Sequence, residues 1–243
     1  MTIFATLATV TLRALLGRRR TLLMVLLALM PVLLGLLVRA NEDELRTQLL
    51  GSTIDGFVIR LVLPLVALVF GTAALGSELD DGTGVHLLTK PIDRWLIIVA
   101  KTFVAGTLTA ALIVPSTIIS GLLMGGFGGD AVSITFAFAL ASLIGSYVYA
   151  ALFLVLSSIT TRGLIIGLAY ALIWEGIVAG LLPGSQVFSV REYLGGIAVT
   201  LSPEALSESS VGATGFVYAA VAIVLILAVG SFRLARYEVR GAE

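Results

Sequence analysis

Residues 78–101 read ELDDGTGVHLLTKPIDRWLIIVAK and interrupt a sequence that is otherwise mostly apolar. The stretch holds eight ionisable side chains, counting His86, together with a Gly-Thr-Gly turn and a proline. Hydrocarbon does not accept charge at that density, so the stretch must lie in water or against another protein. The surface that it contacts therefore bears directly on what the chain does.

The composition around this stretch is that of an integral membrane protein. Hydrophobic residues make up 58% of the chain and charged residues 12%, against roughly 25% charged in an ordinary soluble domain. The absence of cysteine excludes disulfides, thiolate metal sites and cysteine nucleophiles, and a single histidine cannot form a histidine cluster. No Gly-Lys dipeptide occurs, so the usual phosphate-binding P-loop is absent and we expect neither catalysis nor a cofactor on this chain.

Apolar runs of membrane-crossing length predict an all-α fold with six transmembrane helices in one domain covering residues 1–243. A helix of about 20 apolar residues crosses the hydrocarbon core. The predicted spans are 21–38, 57–77, 96–124, 132–156, 163–182 and 214–232. Residues 1–20 predict an amphipathic helix on the membrane surface, with a flexible tail as the alternative. Residues 183–213 are too polar to span, and 187–201 either form one or two short helices at the outer surface or dip in and return.

The lysines and arginines predict the orientation of these spans. One side holds eleven of them, namely Arg13, Arg18, Arg19, Arg20, Lys90, Arg94, Lys101, Arg162, Arg233, Arg236 and Arg240. The other side holds four, namely Arg39, Arg46, Arg60 and Arg191. The richer side is expected to be cytoplasmic, which puts both termini and the loop 78–95 in the cytoplasm of a multi-pass protein of the cell inner (plasma) membrane.

Within the central stretch, residues 85–90 predict a short helix lying across the membrane surface. Thr83 lies in the preceding glycine turn and can cap it, and Pro91 ends it. Such a helix would present Leu87 and Leu88 on a loop that should be purely polar. Two interpretations follow: these side chains pack against lipid or the protein's own helix ends, or they fill a groove on a cytosolic partner.

Charged residues flank this short helix. Glu78 follows the second span at its carboxyl end, where the helix dipole disfavours an anion, so it is expected to pair with a cation. Arg94 and Lys101 lie two turns apart on one face of the third span, and either could be that partner. Asp93 is suited to cap the third span.

The stretch closely resembles the first cytoplasmic loop of the ABC type-2 exporter permeases, the transmembrane subunits of ABC transporters. The matching residues are Glu78, Gly82, Thr83, Leu87, Leu88, Pro91, Ile92, Arg94, Ile97, Ile98 and Lys101, and Ala100 stands where the family often has glycine. The resemblance covers about 24 residues by motif and, through the six-span layout, nearly all of the chain.

This resemblance implies that the loop 78–95 contains a coupling helix seated in a cleft of a separate cytosolic ATPase. ATP and Mg would be bound by two copies of that ATPase, and a second permease copy or a paralogue would complete the transporter. Motion of the two ATPase subunits would push the coupling helix, and this helix would rock the second and third spans to give alternating access. The alternatives are a self-contained secondary transporter, or a non-transporting membrane scaffold for a cytosolic ATPase.

Besides Lys101 near the start of the third span, two charges fall inside predicted spans, Arg60 in the second and Glu175 in the fifth. A charge at such depth costs roughly 2.5 to 3.5 kcal/mol on insertion scales unless it is paired or faces water. An Arg60–Glu175 pair is one hypothesis, and a Glu175 that faces a translocation path is another. A third is that the carboxyl of Glu175 reaches water near the headgroups.

Overall fold

A computed structural model describes residues 3–16, 19–39, 49–80, 93–160, 162–179, 188–206 and 211–235, and within these ranges the regular structure is helical. The helices are α1 (Ile3–Leu16), α2 (Arg19–Val38), α3 (Leu63–Asp80), α4 (Arg94–Gly125), α5 (Gly129–Ile159), α6 (Gly163–Ala169), α7 (Val190–Leu201) and α8 (Thr214–Ala235). Two π-helical segments, π1 (Ile54–Val62) and π2 (Tyr170–Val178), lead into α3 and follow α6. The all-α prediction is confirmed for the described residues.

Within the described residues, five helices are long and apolar enough to cross a membrane. They are Arg20–Val38, Leu49–Gly76, Arg94–Gly125, Gly129–Ile159 and Thr214–Ala235, and each overlaps a predicted span. The second begins at Leu49 rather than at residue 57, because π1 extends the helix over residues taken for a loop. The predicted fifth span, 163–182, corresponds to the shorter apolar helix Gly163–Val178, and its last residues lie outside the described part.

Helix α5 is the centre of the bundle and contacts α3, α4, α7 and α8. It runs antiparallel to α4, with Gly121 of α4 against Thr135 and Gly106 against the ring of Tyr147. A Cβ atom at either glycine would come within 2.5 Å of its neighbour, so the two helices approach closely because glycine is there.

The two ends of the bundle differ in charge. We call the end where α3 stops and α4 starts the basic end, because Arg94, Lys101, Arg162 and Arg233 lie there. We call the end where α4 turns into α5, at residues 125–129, the opposite end. Helix α3 runs toward the basic end in parallel with α5, and Gly71 and Gly76 let the two pack closely.

Helix α7 comes from the segment 183–213 that the sequence marked as polar, yet it packs inside the bundle. Leu194 contacts Gly145, near the middle of α5. The hydroxyls of Ser202, after α7, and Ser133, near the start of α5, lie 2.9 Å apart. Helix α7 therefore begins beside the middle of α5 and ends near the opposite end.

Candidate functional site

Glu175, on π2, is held by two tyrosines in the interior of the bundle. Its side chain is 1% exposed. Tyr149 of α5 donates a hydrogen bond of 2.9 Å to Oε2, and Tyr170 of π2 donates one of 2.7 Å to Oε1. A carboxylate this deep must be matched by donors, because an unpaired charge in a low dielectric is strongly disfavoured.

The remaining partners of Glu175 come from the start of α7. The backbone N–H groups of Val190 and Arg191 donate to Oε1 and Oε2, both at 3.0 Å. Ser189, the N-cap residue, adds its hydroxyl at 3.4 Å to Oε2. The first N–H groups of a helix have no partner within the helix and carry the positive end of its dipole, so the carboxylate compensates both.

A second buried carboxylate, Asp55 on π1, binds the same turn of α7. Arg191 Nη2 lies 3.1 Å from Asp55 Oδ2, and both side chains are largely buried. Arg60 Nη2 lies 3.8 Å from the same oxygen but is 42% exposed. Arg191 thus binds a carboxylate of π1 through its side chain and a carboxylate of π2 through its backbone.

The Arg60–Glu175 pair expected as one hypothesis is not formed, because Arg60 pairs with Asp55 instead. The two residues are five positions apart, which is one turn of a π-helix, so they share a face of π1. Glu175 is enclosed by donors and does not face an open path. Sequence reasoning missed Asp55, Tyr149, Tyr170, Ser189 and Arg191. A spacing of five places Asp55 and Arg60 on one face only in a π-helix, so it gave no signal for a segment taken for a loop and an α-helix.

At the basic end, Lys101 of α4 joins α4 to α3. Its side chain is 1% exposed, and Nζ donates a hydrogen bond of 2.6 Å to the carbonyl oxygen of Ala74 in α3. These are the two helices that the predicted coupling loop connects. Lys101 therefore joins α4 to α3 close to the segment that connects the two helices.

The other residues predicted to take part in coupling are only partly within the described chain. Glu78 belongs to the last turn of α3, and Arg94 begins α4. Asp93 occupies the N-cap position of α4, but its side chain makes no capping hydrogen bond. Gly82, Thr83, Leu87, Leu88 and Pro91, together with the predicted helix 85–90, lie outside the described residues.

At the opposite end, two carboxylates meet near water. Glu204 follows α7 and is fully exposed, and Asp130 is in the first turn of α5. The negative charge of Asp130 and a hydrogen bond with it raise the pKa of Glu204 above its usual value. Repulsion between the two carboxylates therefore destabilises this end of the bundle at neutral pH, and protonation of Glu204 removes that repulsion.

Comparison with known proteins identifies a matching family model. Residues 16–179 match the model of a family described as ABC-2 family transporter protein. The matched region covers more than half of the chain, and both Lys101 and Glu175 fall inside it. No curated protein matches the chain.

Proposed function

Since the chain belongs to the ABC-2 transporter family, we propose that it serves as the permease subunit of an ATP-driven exporter. The family and the five long apolar helices of the described residues support a multi-pass membrane protein with a transport role rather than a catalytic one. The observation that carries the proposal is the family match over residues 16–179. The resemblance of residues 78–101 to the exporter loop supports export rather than import.

The proposed mechanism is mechanical. The loop 78–95 docks on a cytosolic ATPase, with Leu87 and Leu88 in its groove and Pro91 ending the docking helix. Movement of the ATPase displaces this loop, and the Lys101–Ala74 hydrogen bond supports a joint response of α3 and α4. Repeated displacement then alternates access between the two sides of the membrane.

The assembly contains more than this chain. Two ATPase subunits carry ATP and Mg, and a second permease copy or a paralogue completes the bundle. Both termini and the basic end face the cytoplasm, and the protein lies in the cell inner (plasma) membrane. The excess of lysine and arginine on the side of the loop 78–95 supports this orientation.

The test is purification of the tagged chain from native membranes with Leu88→Asp or Pro91→Gly. Both variants are expected to remain in the membrane and to lose the co-purifying ATPase, because the first places a charge in the groove and the second removes the helix stop. The control is Phe127→Asp in the turn at the opposite end, where Phe127 is 84% exposed. Normal ATPase recovery and transport with both loop variants would refute the docking role.

A further inference from the structure

A cavity of about 500 Å³ lies beside the Glu175 site, within the range of roughly 300 to 1,000 Å³ that small-molecule sites occupy. Its walls come from α5, π2, α7, α8 and the residues before α7. The lining residues are Leu152, Tyr170, Trp174, Phe188, Val190, Tyr193, Ala222 and Ile226. Apolar and aromatic side chains thus form nearly all of the surface that an occupant would touch.

Three hydrogen-bond donors of this wall, and the carbonyl oxygen of Phe188, are already engaged. Tyr170 Oη donates to Glu175 at 2.7 Å and lies 3.4 Å from the carbonyl oxygen of Phe188. Trp174 Nε1 donates to the same carbonyl at 3.2 Å, and the backbone N–H of Val190 donates to Glu175. A polar ligand would have to break these bonds, whereas a hydrocarbon chain fills the space without disturbing them.

The depth of the cavity identifies the source of such a chain. Ala222 and Ile226 lie in the middle of α8, a helix of 22 residues that is long enough to cross a membrane. The adjacent face of α8 is exposed and apolar, with Val221 at 50%, Val224 at 64% and Leu225 at 60% exposure. At that depth the surrounding solvent is the acyl region of the bilayer.

We propose that this cavity binds one acyl chain of a bilayer lipid. The acyl chain lies against Trp174 and Phe188 and contacts Tyr170 and Val190 on the side opposite to Glu175. Because Tyr170 and Val190 also donate hydrogen bonds to the carboxylate of Glu175, the lipid supports the packing of α7 against π2. This inference needs only that the chain is embedded in a membrane, so it stands apart from the proposed transport function.

The test uses the full-length chain in nanodiscs made from phosphatidylethanolamine and phosphatidylglycerol, with a small fraction of phospholipid that carries a diazirine in its acyl chain. After illumination, mass spectrometry should find the lining residues labelled more strongly than the exposed residues around Val224. Native mass spectrometry after detergent extraction should find one lipid retained per chain. Ala222→Phe and Leu152→Phe fill the cavity and should abolish both signals.

The matched control is Val224→Phe, which adds a similar ring to the exposed face of α8 and should leave both signals unchanged. Labelling of the cavity that is no stronger than labelling around Val224 would overturn the proposal. So would retention of the lipid in both cavity-filling variants, if their melting temperatures match that of the wild type. Cross-linking of the cavity to a second copy of the chain, with no lipid retained, would assign the site to a protein interface instead.

Discussion

Lys101 Nζ lies 2.6 Å from the carbonyl oxygen of Ala74, and this contact joins two helices whose connection in sequence is the polar loop. A buried ammonium that binds a backbone carbonyl of the neighbouring helix resists sliding between the two. Hydrogen bonds of charged groups contribute about 1.5–3 kcal/mol, so this one is a substantial part of the α3–α4 interface.

We therefore predict that Lys101→Ala lowers transport more than it lowers ATP hydrolysis in the assembled complex. The reason is that the loop would still move while α3 and α4 no longer move together. The measurement is the ratio of substrate moved to ATP hydrolysed in proteoliposomes. Thr109→Val is the control, because the Thr109 hydroxyl is buried on α4 but bonds only within its own helix, to Ala105. A ratio unchanged from wild type would show that Lys101 does not transmit the motion.

For the Glu175 site, we predict that Tyr149→Phe destabilises the chain and Tyr147→Phe does not. The first change removes a buried donor to the carboxylate, with an expected loss of about 1.5–3 kcal/mol. Tyr147 lies on the same helix, but its hydroxyl meets only Thr107 in an exposed position. Thermal unfolding in detergent compares the two variants directly. Equal melting temperatures would mean that Glu175 does not depend on Tyr149.

For Asp55, we predict unequal effects of its two arginine partners. Arg191→Met breaks a buried pair and should cost about 3–5 kcal/mol, because Asp55 would remain buried with only the longer contact to Arg60. Arg60→Met should cost about 0–1 kcal/mol, since that side chain is partly exposed. Unfolding free energies of the single variants and of Asp55→Asn combined with Arg191→Met form a double-mutant cycle. Additive losses in that cycle would rule out a direct Asp55–Arg191 interaction.

For Glu204, we predict that stability falls as the pH rises from the usual pKa of a glutamate, about 4.3, through the raised pKa of the folded state. A raised pKa means that the folded chain binds this proton more tightly than the unfolded chain, so deprotonation costs the folded state. Glu204→Gln should remove this part of the pH dependence and match the wild type at low pH. The effect is small because the side chain is exposed. In an Asp130→Asn background the substitution should change nothing further, and a persistent effect there would exclude Asp130 as its cause.

The orientation can be tested with single cysteines, since the chain has none of its own. Phe127→Cys at the opposite end should react with a membrane-impermeant maleimide added outside intact cells. Lys90→Cys in the polar loop should react only after the cells are opened. The reversed pattern would place the loop 78–95 outside and remove the basis for ATPase coupling.

The spans could be predicted from sequence because the length of an apolar run is a local property. The helix positions at 94–125, 129–159 and 214–235 needed no knowledge of any contact. Helix α7 could not be recognised as a buried element, because its segment contains Arg191, Glu192 and two glycines. Its polar groups are compensated by Asp55 and Glu175, which come from other parts of the chain.

The partners of Glu175 could not be predicted for the same reason. The sequence places Glu175 inside a predicted span, and a charge at that depth requires a partner or contact with water. Arg60 is the opposite charge predicted at a comparable depth, whereas all five donors to Glu175 are hydroxyl or backbone N–H groups, which a count of charged side chains does not include.

The hydrogen bonds of Glu175 also bear on biogenesis. Val190 and Arg191 follow it by fifteen and sixteen residues, so Gly163–Val178 emerges from the ribosome before two of the donors to its carboxylate do. Inserted alone, that helix would carry an incompletely matched charge, at a cost of roughly 2.5–3.5 kcal/mol on insertion scales. Residues 163–201 should therefore enter the bilayer as one late unit. A nascent chain stalled after Gly163–Val178 has emerged from the ribosome, but before Val190 has, would leave that helix uncommitted at the translocon.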